Sequence, residues 1–280
     1  MIRLIKHIYR FLNPSFQSVH LDYKVDARPR YTASQPHQEL LRLTAQDIQA
    51  YEMYLKDVLS RKHHFEGLAD RLSGSSFSWR NDYLPAWDTV MLHSMIGIHQ
   101  PSLYMEVGSG MSTLVAHQAI ADYGLTSSIT SIDPAPRAEI SRVVDEEIRS
   151  PLERLDVELF DKLQEGDILF IDNSHRLLPN SDVTTTFLDV LPRLKTGVLV
   201  HFHDIYLPYD YPQEMCDRMY SEQYALGILL MNNPERYKIT FPSYYISQHP
   251  SLSQILDPIW ALDNVVDPEP HGGSFWISVQ

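Results

Sequence analysis

Residues 103–113 read Leu-Tyr-Met-Glu-Val-Gly-Ser-Gly-Met-Ser-Thr, an apolar run that ends in two closely spaced glycines. The run Leu103–Val107 is continuous rather than alternating, which is typical of a strand covered on both faces. Gly108 and Gly110 allow the backbone to turn sharply and to approach a ligand closely. A helix is predicted to begin near Ser112, and its free amide groups favour a carboxylate or phosphate. The segment therefore predicts a strand, a tight turn and a helix, with room for a ligand at the turn.

The same alternation of short apolar runs and helical stretches continues to the end of the chain. Strands are predicted at 129–133, 157–160, 167–172, 197–203, 237–246 and 275–279. The last two are separated by Pro- and Gly-containing loops and are expected to form a closing hairpin-like pair. Strand–helix repetition predicts right-handed crossovers and a mainly parallel sheet.

The first part of the chain follows a different pattern. Apolar residues recur at helical spacing up to residue 12, in a helix that either packs on the body or binds a membrane surface or a partner. A second helical stretch is predicted at 44–72, with Thr44 and Asp47 as a capping box, and a third at 84–99. We expect residues 1–76 to form a helical and irregular extension, a cap or substrate wall, beside a sheet domain at 77–280.

Composition narrows the range of functions. The chain has 280 residues, with 23 Lys and Arg against 36 Asp and Glu, so the net charge is 23 − 36 = −13. An acidic chain without a basic cluster disfavours a nucleic-acid partner. No apolar run approaches the roughly 20 residues of a membrane span, and the single cysteine, Cys216, favours a reducing compartment. We therefore expect a soluble, cytoplasmic protein with a small-molecule substrate, and we leave self-association open.

Ligands of open parallel sheets bind outside the carboxyl ends of the strands, so the residues that follow each strand are candidates. Asp133 follows the second strand, 23 residues after Gly110. A carboxylate there can accept two hydrogen bonds from a ribose diol; the alternative is a turn or helix-cap aspartate. Thr113 stands where a dinucleotide fingerprint has its third glycine, which counts against nicotinamide binding.

Several ordered motifs resemble those of class I adenosylmethionine-dependent methyltransferases. They are Glu-Val-Gly-Ser-Gly at 106–110 with Asp133, Gly-Asp-Ile-Leu-Phe-Ile-Asp-Asn-Ser-His at 166–175, the segment 191–205, and Gly-Gly-Ser-Phe-Trp at 272–276. The resemblance covers about residues 77–280. It implies an α/β fold with a Rossmann-like, seven-stranded, mostly parallel sheet whose last strand is antiparallel, here with the N-terminal helical extension added.

The resemblance also implies roles at the cofactor site. Gly108 and Gly110, with Ser109 between them, approach the methionine part of the cofactor. Glu106 supports the loop or reaches the cofactor amino group, and Asp133 holds the ribose hydroxyls. Ser112 and Thr113 are expected as donors to the cofactor carboxylate.

Polar residues also follow the two strands predicted at 167–172 and 197–203. Asp172 and His175 come after the first, and His203 and Asp204 after the second. Parallel neighbours lie about 4.8 Å apart, so these ends converge if the strands are adjacent. A buried carboxylate is costly unless it is paired or coordinated. Carboxylates and imidazoles together form a plausible divalent-metal site.

This arrangement is similar to that of cation-dependent O-methyltransferases. The resemblance implies Asp172 as the first metal ligand, His203 and Asp204 as the following pair, and His175 as the base that takes the acceptor proton. Imidazole suits iron, manganese or zinc better than magnesium, so the metal differs or His203 is not a ligand. Two further interpretations stay open: a metal-free site in which His175 or His203 is the general base, and a purely structural cluster.

Three neighbouring features complete the predicted site. His201, one step deeper on its strand, is expected to be buried and hydrogen-bonded. The segment 207–212 is either a lid over the substrate or an ordinary packed loop, and the segment 81–85 lines the pocket. The main hypothesis is methyl transfer from adenosylmethionine to a small molecule, at a hydroxyl oxygen. The alternatives are an NAD(P)-dependent oxidoreductase and a non-catalytic protein that retains the fold.

Overall fold

The computed structural model describes residues 9, 11–13, 17–19, 21–72, 77–81, 83–137, 139–269 and 271–280. Most of the helix predicted before residue 13 lies outside these ranges, as does the loop predicted at 73–76. Within the described ranges, no helix is both long enough and apolar enough to cross a bilayer.

A seven-stranded sheet forms the centre of the molecule. Its strands are β1 Leu103–Val107, β2 Ser128–Ile132, β3 Glu146–Ile148, β4 Ile168–Ile171, β5 Leu199–Phe202, β6 Tyr237–Pro242 and β7 Phe275–Val279. Their order across the sheet is β3-β2-β1-β4-β5-β7-β6. The strands β1 to β5 pair in parallel, whereas β7 lies antiparallel between β5 and β6. The predicted Rossmann-like α/β fold, with its last strand antiparallel, is confirmed.

The prediction of the third strand was wrong. Residues 157–160 belong to a 3₁₀-helix, Val157–Lys162, and the strand at the edge of the sheet is Glu146–Ile148. This strand is short and carries two glutamates, and its one parallel partner is β2. An exposed edge needs no continuous apolar run, so the pattern used to find buried strands does not detect it.

Helices cover both faces of the sheet. Those in the described ranges are α1 Gln38–Thr44, α2 Ile48–Ser60, α3 Leu68–Arg71, α4 Ala86–His99, α5 Met111–Asp122, α6 Asp182–Thr185, α7 Gln213–Asp217, α8 Glu222–Asn232, α9 Ser243–Gln248 and α10 Asp257–Trp260. Shorter 3₁₀ or π turns lie at Lys62–Phe65, Leu152–Arg154, Val157–Lys162, Thr186–Val190, Leu191–Arg193 and Ser253–Leu256.

The long helix predicted at 44–72 is divided into shorter elements. Thr44 ends α1 rather than capping a helix, and Asp47 at the start of α2 makes no side-chain capping bond. Gly67 has φ +69°, a left-handed conformation that separates the Lys62–Phe65 turn from α3. The prediction of the capping box was therefore wrong, although the helical character of the segment is confirmed.

Two apolar clusters fill the space between the helices and the sheet. Alternate residues of β1 and β4 divide between them: Tyr104 and Phe170 on one face, Met105 and Leu169 on the other. The first cluster also contains fully buried side chains from the N-terminal helices and the turn after them, namely Tyr51, Leu55, Val58, Phe65 and Leu68. Residues 38–72 thus contribute to the same core as the sheet. The domain boundary at 76/77 stays a prediction.

The strand order places a crevice at the carboxyl end of β1. From β1 the chain proceeds to β2 and β3 on one side, whereas β4 and β5 lie on the other. Val107, Ile132, Ile171 and Phe202 are in register across this edge. The residues that follow them therefore meet at the point where the strand order reverses, which is where open α/β sheets bind ligands.

Candidate functional site

The glycine bend after β1 is shaped by close contact with the loop after β4. Gly108 has φ +83°, and a Cβ atom at this position would lie 1.8 Å from the carbonyl oxygen of Asp172. Its backbone N–H donates to the Ile132 carbonyl at 3.0 Å. Only glycine combines this φ with this close approach. The bend therefore connects the ends of β1, β2 and β4.

Asp133 is tied to the same bend. One carboxylate oxygen accepts a hydrogen bond from the Ser109 N–H at 2.7 Å, and the other accepts one from the Ala135 N–H at 2.7 Å. Each oxygen has a second lone pair, so the carboxylate can still accept from a ligand. Asp133 thus has features of both alternatives weighed from the sequence: it organises a turn and it lines open space.

Glu106 supports the bend from inside the protein. It is completely buried, and the Thr113 hydroxyl donates to its carboxylate while accepting from the Gly110 N–H at 3.1 Å. Burial raises the pKa of Glu106 to about 8, although hydrogen bonds from Ser112, Thr113 and Tyr104 partly oppose the shift. The carboxyl group is therefore mostly protonated at neutral pH. Of the two roles predicted for Glu106, the geometry corresponds to loop support.

The expected donors to the cofactor carboxylate are turned towards Glu106. Thr113 is fully buried and its hydroxyl contacts Glu106 and Gly110. The Ser112 hydroxyl also acts on Glu106, where it lowers the pKa, although part of this residue borders open space. The buried carboxyl group needs hydrogen-bond partners, which the hydroxyls of Thr113 and Tyr104 provide.

A cavity of about 750 Å³ opens over the glycine bend. Predicted site residues that line it are Gly108, Ser109, Gly110, Ser112, Asp133 and Asp172. Glu106 and Thr113 lie behind this wall. Tyr83 and Leu84 also line the cavity, so the prediction for segment 81–85 is confirmed at these two residues; Asp82 lies outside the described residues.

Asp172, His175 and Asp204 form the centre of a charged cluster beside the cavity. His175 Nε2 lies 3.2 Å from Asp172 Oδ1 and 3.4 Å from Asp204 Oδ2. His175 and Asp204 have φ values of 59° and 54°, in the left-handed region that non-glycine residues seldom adopt. Such backbone strain concentrates at functional sites. The side chains of Asp172 and Asp204 are 20% and 21% exposed, whereas His175 is 5% exposed and lies behind them.

The pKa shifts within this cluster favour the ionised forms of Asp172 and His175. Burial opposes ionisation of Asp172, but the hydrogen bond from His175 and the charges of His203 and His175 lower its pKa to about 2. Burial likewise opposes the imidazolium form of His175. Hydrogen bonds to Asp172 and Glu222, with the charge of Asp204, nevertheless raise the pKa of His175 well above its usual value. His175 is therefore an imidazolium in contact with two carboxylates.

Glu222, which the sequence reasoning missed, contacts the other side of His175. It is completely buried, and its carboxylate lies 2.9 Å from His175 Nδ1. Asn173 donates to the same carboxylate at 3.1 Å, and the Ser221 and Glu222 N–H groups donate to the His175 carbonyl. Glu222 is the first residue of α8 and lies 47 positions after His175 in the sequence. No local motif connects them, so only the tertiary structure reveals the pair.

His203 has a similar buried environment built around Asp88, a second residue that the sequence reasoning missed. His203 Nε2 lies 3.5 Å from Asp88 Oδ2, and Nδ1 lies 3.6 Å from Asp204 Oδ1 and 3.8 Å from Asp172 Oδ1. Despite the opposing effect of burial, the close contact with Asp88 and the charges of Asp172 and Asp204 raise the pKa of His203 to about 9. Asp88 is fully buried and also accepts from the Gly273 N–H at 2.6 Å.

The structure also bears on the predictions for His201 and for the segment 207–212. His201 is fully buried, stacks on Phe170 with ring centroids 3.7 Å apart, and contacts the Ser274 hydroxyl at 2.6 Å, as expected for a buried hydrogen-bonded role. The segment 207–212 is a packed loop rather than a lid: Tyr211 is fully buried, and Asp210 accepts from the Arg30 and Tyr31 N–H groups.

The side chains of the predicted metal ligands lie close together, but their contacts are ion pairs between carboxylates and imidazoles. Asp172 and Asp204 both contact the His175 imidazole, which brings the positive charge that a metal would otherwise supply. Among the residues described by the structure, no group of three or more His, Cys, Asp or Glu side chains is arranged to hold a metal ion.

Comparison with known proteins supports the interpretation of this edge of the sheet. Residues 105–205 match the family model described as a methyltransferase domain. The matched segment begins in β1 and ends one residue after Asp204. It therefore contains the glycine bend, Asp133, Asp172 and the histidines at 175 and 203. The match confirms the predicted resemblance to class I methyltransferases and supports adenosylmethionine-dependent methyl transfer. No curated protein matches the chain.

Three solved structures are similar at low sequence identity. The SAH-bound methyltransferase PaMTH1 of Podospora anserina is 16% identical and has a TM-score of 0.41, with 69% of this chain and 77% of that chain covered. The plantazolicin methyltransferase BpumL in complex with SAH is 12% identical, with a TM-score of 0.40 and coverage of 81% and 100%. The O-methyltransferase from Bacillus cereus in complex with SAH is 15% identical, with a TM-score of 0.40 and coverage of 86% and 99%.

Proposed function

We propose that this protein transfers the methyl group of adenosylmethionine to a hydroxyl oxygen of a small-molecule acceptor. The observation that carries the proposal is the cavity at the switch point of the sheet, with the glycine bend and Asp133 in its wall and Asp172 at its border. Its volume of about 750 Å³ lies within the range of small-ligand sites. The methyltransferase match over the same residues supports the choice of cofactor.

In this proposal the cofactor lies along the carboxyl ends of β1 and β2. Gly108, Ser109 and Gly110 hold the methionine part, and Ser112 borders it at the start of α5. Asp133 accepts hydrogen bonds from the ribose hydroxyls. Glu106 and Thr113 do not touch the cofactor; they keep the bend in shape from behind. The bound sulfonium supplies an activated methyl group.

The acceptor is proposed to bind beside the exposed oxygens of Asp172 and Asp204. As the oxygen–methyl bond forms and the methyl–sulfur bond breaks, the hydroxyl proton passes to His175 or, as the alternative base, to His203. A cation close to an imidazolium disfavours the charged form. Binding of the sulfonium is therefore expected to lower the pKa of His175, so that His175 first loses its own proton to solvent and can then accept the hydroxyl proton.

Metal assistance through Asp172, His203 and Asp204 is the alternative to a metal-free base. The contacts of His175 with both carboxylates support the metal-free version, because they place the proposed base itself beside these oxygens. A nicotinamide-dependent oxidoreductase and a non-catalytic binding protein are the remaining alternatives. The acidic charge and the single cysteine support a small-molecule enzyme of a reducing compartment such as the cytoplasm.

Transfer of a labelled methyl group tests the proposal. Purified protein is incubated with methyl-labelled adenosylmethionine and a panel of hydroxylated metabolites, each paired with its own methyl ether. We expect label in a hydroxyl compound and none in its ether. The His175→Asn variant should slow transfer by about 10²- to 10⁴-fold, the usual contribution of a general base.

The outcomes separate the alternatives. Transfer that stops with a chelator and returns with iron, manganese or zinc supports the metal version. Label on nitrogen or carbon acceptors alone contradicts the hydroxyl assignment. Binding of NADH without binding of adenosylmethionine contradicts the proposed function as a whole.

A further inference from the structure

Arg137 stands out among the residues that line the cavity. It is the one cationic side chain among the described residues of the lining, which also include the carboxylates of Asp133, Glu153, Asp172 and Asp182. An arginine in such an acidic surrounding usually forms an ion pair. In the described part of the chain, the guanidinium has instead a single contact, with the ring of Tyr83, whose centroid lies 5.5 Å away.

The backbone places Arg137 against the glycine bend. Its N–H donates to the Ser109 carbonyl at 3.2 Å, and its Cβ lies 3.8 Å from the position that a Cβ on Gly110 would take. The charge of Arg137 also contributes to the lowered pKa of Asp172, which lies at the methyl-transfer end of the cavity. Arg137 is therefore near the part of the site proposed to hold the methionine portion of the cofactor.

The methionine portion of the cofactor carries a carboxylate, which needs a hydrogen-bond donor or a cationic partner. The Thr113 hydroxyl bonds to the buried Glu106 and the Ser112 hydroxyl also interacts with it, so both are poorly placed to donate to a second carboxylate. The neighbouring acids would repel it. A guanidinium binds a carboxylate through two parallel hydrogen bonds, which makes Arg137 the complementary group.

We propose that Arg137 binds the carboxylate of the cofactor's methionine part and that Tyr83 holds the guanidinium in place through its ring face. The inference rests on the proposed function, since it assigns one contact of the proposed cofactor. It makes Arg137 a specificity-determining residue, because the site then distinguishes cofactors with the amino-acid part from nucleosides without it.

Two ligands that differ in this part test the inference by calorimetry. Adenosylhomocysteine carries the carboxylate, whereas 5′-methylthioadenosine has the same adenosine and sulfur but lacks the amino-acid part. We expect Arg137→Met to weaken adenosylhomocysteine by about 10- to 100-fold, the range for a hydrogen bond to a charged group. Binding of methylthioadenosine should stay within about twofold of the wild type. Arg137→Lys keeps the charge and should lie between the two.

Arg149→Met is the matched control, because this exposed arginine pairs with Glu147 outside the cavity and its loss lowers the net charge equally. It should leave both ligands unaffected. Adenosylhomocysteine binding that Arg137→Met leaves unchanged overturns the inference, and so does an equal loss for both ligands. Failure of the wild-type protein to bind either ligand is a different result, which contradicts the proposed function itself.

Discussion

At the scale of single residues, a buried acid lies behind each of the two histidines in the charged cluster beside the cavity. Glu222 contacts His175 on the side away from Asp172 and Asp204, and Asp88 has the corresponding position behind His203. The carboxylates on both sides raise the pKa of each histidine and so favour its imidazolium form, whereas burial alone would favour the neutral form.

Replacing Glu222 by Gln tests the role of this residue in positioning and charging His175. The amide keeps the shape but removes the negative charge beside Nδ1, so the pKa of His175 should fall. Histidine side-chain NMR measures this pKa directly, with the resonance assigned by its absence in His175→Asn. Glu214→Gln, at an exposed position of α7, is the control. An unchanged pKa of His175 would show that Glu222 has a purely packing role.

Glu106 predicts a pH dependence of stability. Its pKa is raised to about 8 in the folded protein, so the folded state binds a proton that the unfolded chain releases near its ordinary pKa. The resulting contribution is fully present below the unfolded pKa and is lost as the pH rises through about 8. We expect Glu106→Gln to remove this loss, on the order of a few kcal/mol between pH 5 and 8.

Denaturant unfolding of both proteins at several pH values measures this difference. The shifts of His175 and His203 have the same sign, so the wild type should lose stability towards alkaline pH for more than one reason. The difference between the wild type and Glu106→Gln isolates the contribution of Glu106 to this loss of stability. Parallel curves for the two proteins over this pH range would contradict a protonated Glu106.

The sequence allowed the position of the acids at the strand ends to be predicted, but not that of the acids behind the histidines. Asp133, Asp172 and Asp204 each follow a strand, and parallel strands bring their carboxyl ends to one edge, so local pattern was sufficient to place them there. Glu222 and Asp88 lie in the first turns of helices, where acids are common for reasons of helix stability alone. Nothing in their local sequence distinguishes a helix-terminal acid from a partner of a distant histidine.

At the scale of elements, the turn between β1 and α5 depends on one glycine. Gly108 combines a left-handed φ with a position where a Cβ would overlap the Asp172 carbonyl. In the proposed function, the same contact joins the cofactor side of the site to the acceptor side. The strands that were predicted well are the buried ones, whereas β3 was missed because a short polar edge strand has no apolar run.

Gly108→Ala is expected to destabilise the protein and to abolish binding of adenosylhomocysteine, because either the bend or the Asp172 loop must move. Gly124→Ala is the matched control: Gly124 has φ +62°, but a Cβ there would meet no atom within 4 Å. That variant should cost about 1–2 kcal/mol from the left-handed backbone alone and keep its affinity. Thermal unfolding and ligand titration of both variants measure the difference. Equal behaviour of the two would contradict the importance of the contact with Asp172.

At the scale of the whole molecule, the N-terminal helices belong to the core that supports the sheet. The division at residue 76 was predicted from a change of pattern along the chain. A change of pattern does not reveal packing, and α2 buries Tyr51, Leu55 and Val58 in the same cluster as Tyr104 and Phe170.

Two shortened chains test this view. A chain that begins at residue 77 loses five fully buried large side chains, each worth about 2–5 kcal/mol on truncation, and should not fold cooperatively. A chain that begins at residue 36 keeps them and should retain a cooperative transition. Circular dichroism during heating distinguishes the two outcomes. A cooperative transition in the shorter chain would show that 77–280 is an independent domain.

The proposed function requires that the glycine bend and Asp133 bind adenosylmethionine, the bend at its methionine part and Asp133 at its ribose. Calorimetric titration of adenosylhomocysteine into the wild-type protein and the Asp133→Ala variant tests it most directly. We expect binding of one ligand per chain, a loss of at least about tenfold in affinity for the variant, as expected when a charged hydrogen-bond partner is removed, and no binding of NADH. Equal affinity of the two proteins for adenosylhomocysteine, or no binding by the wild type, would contradict it.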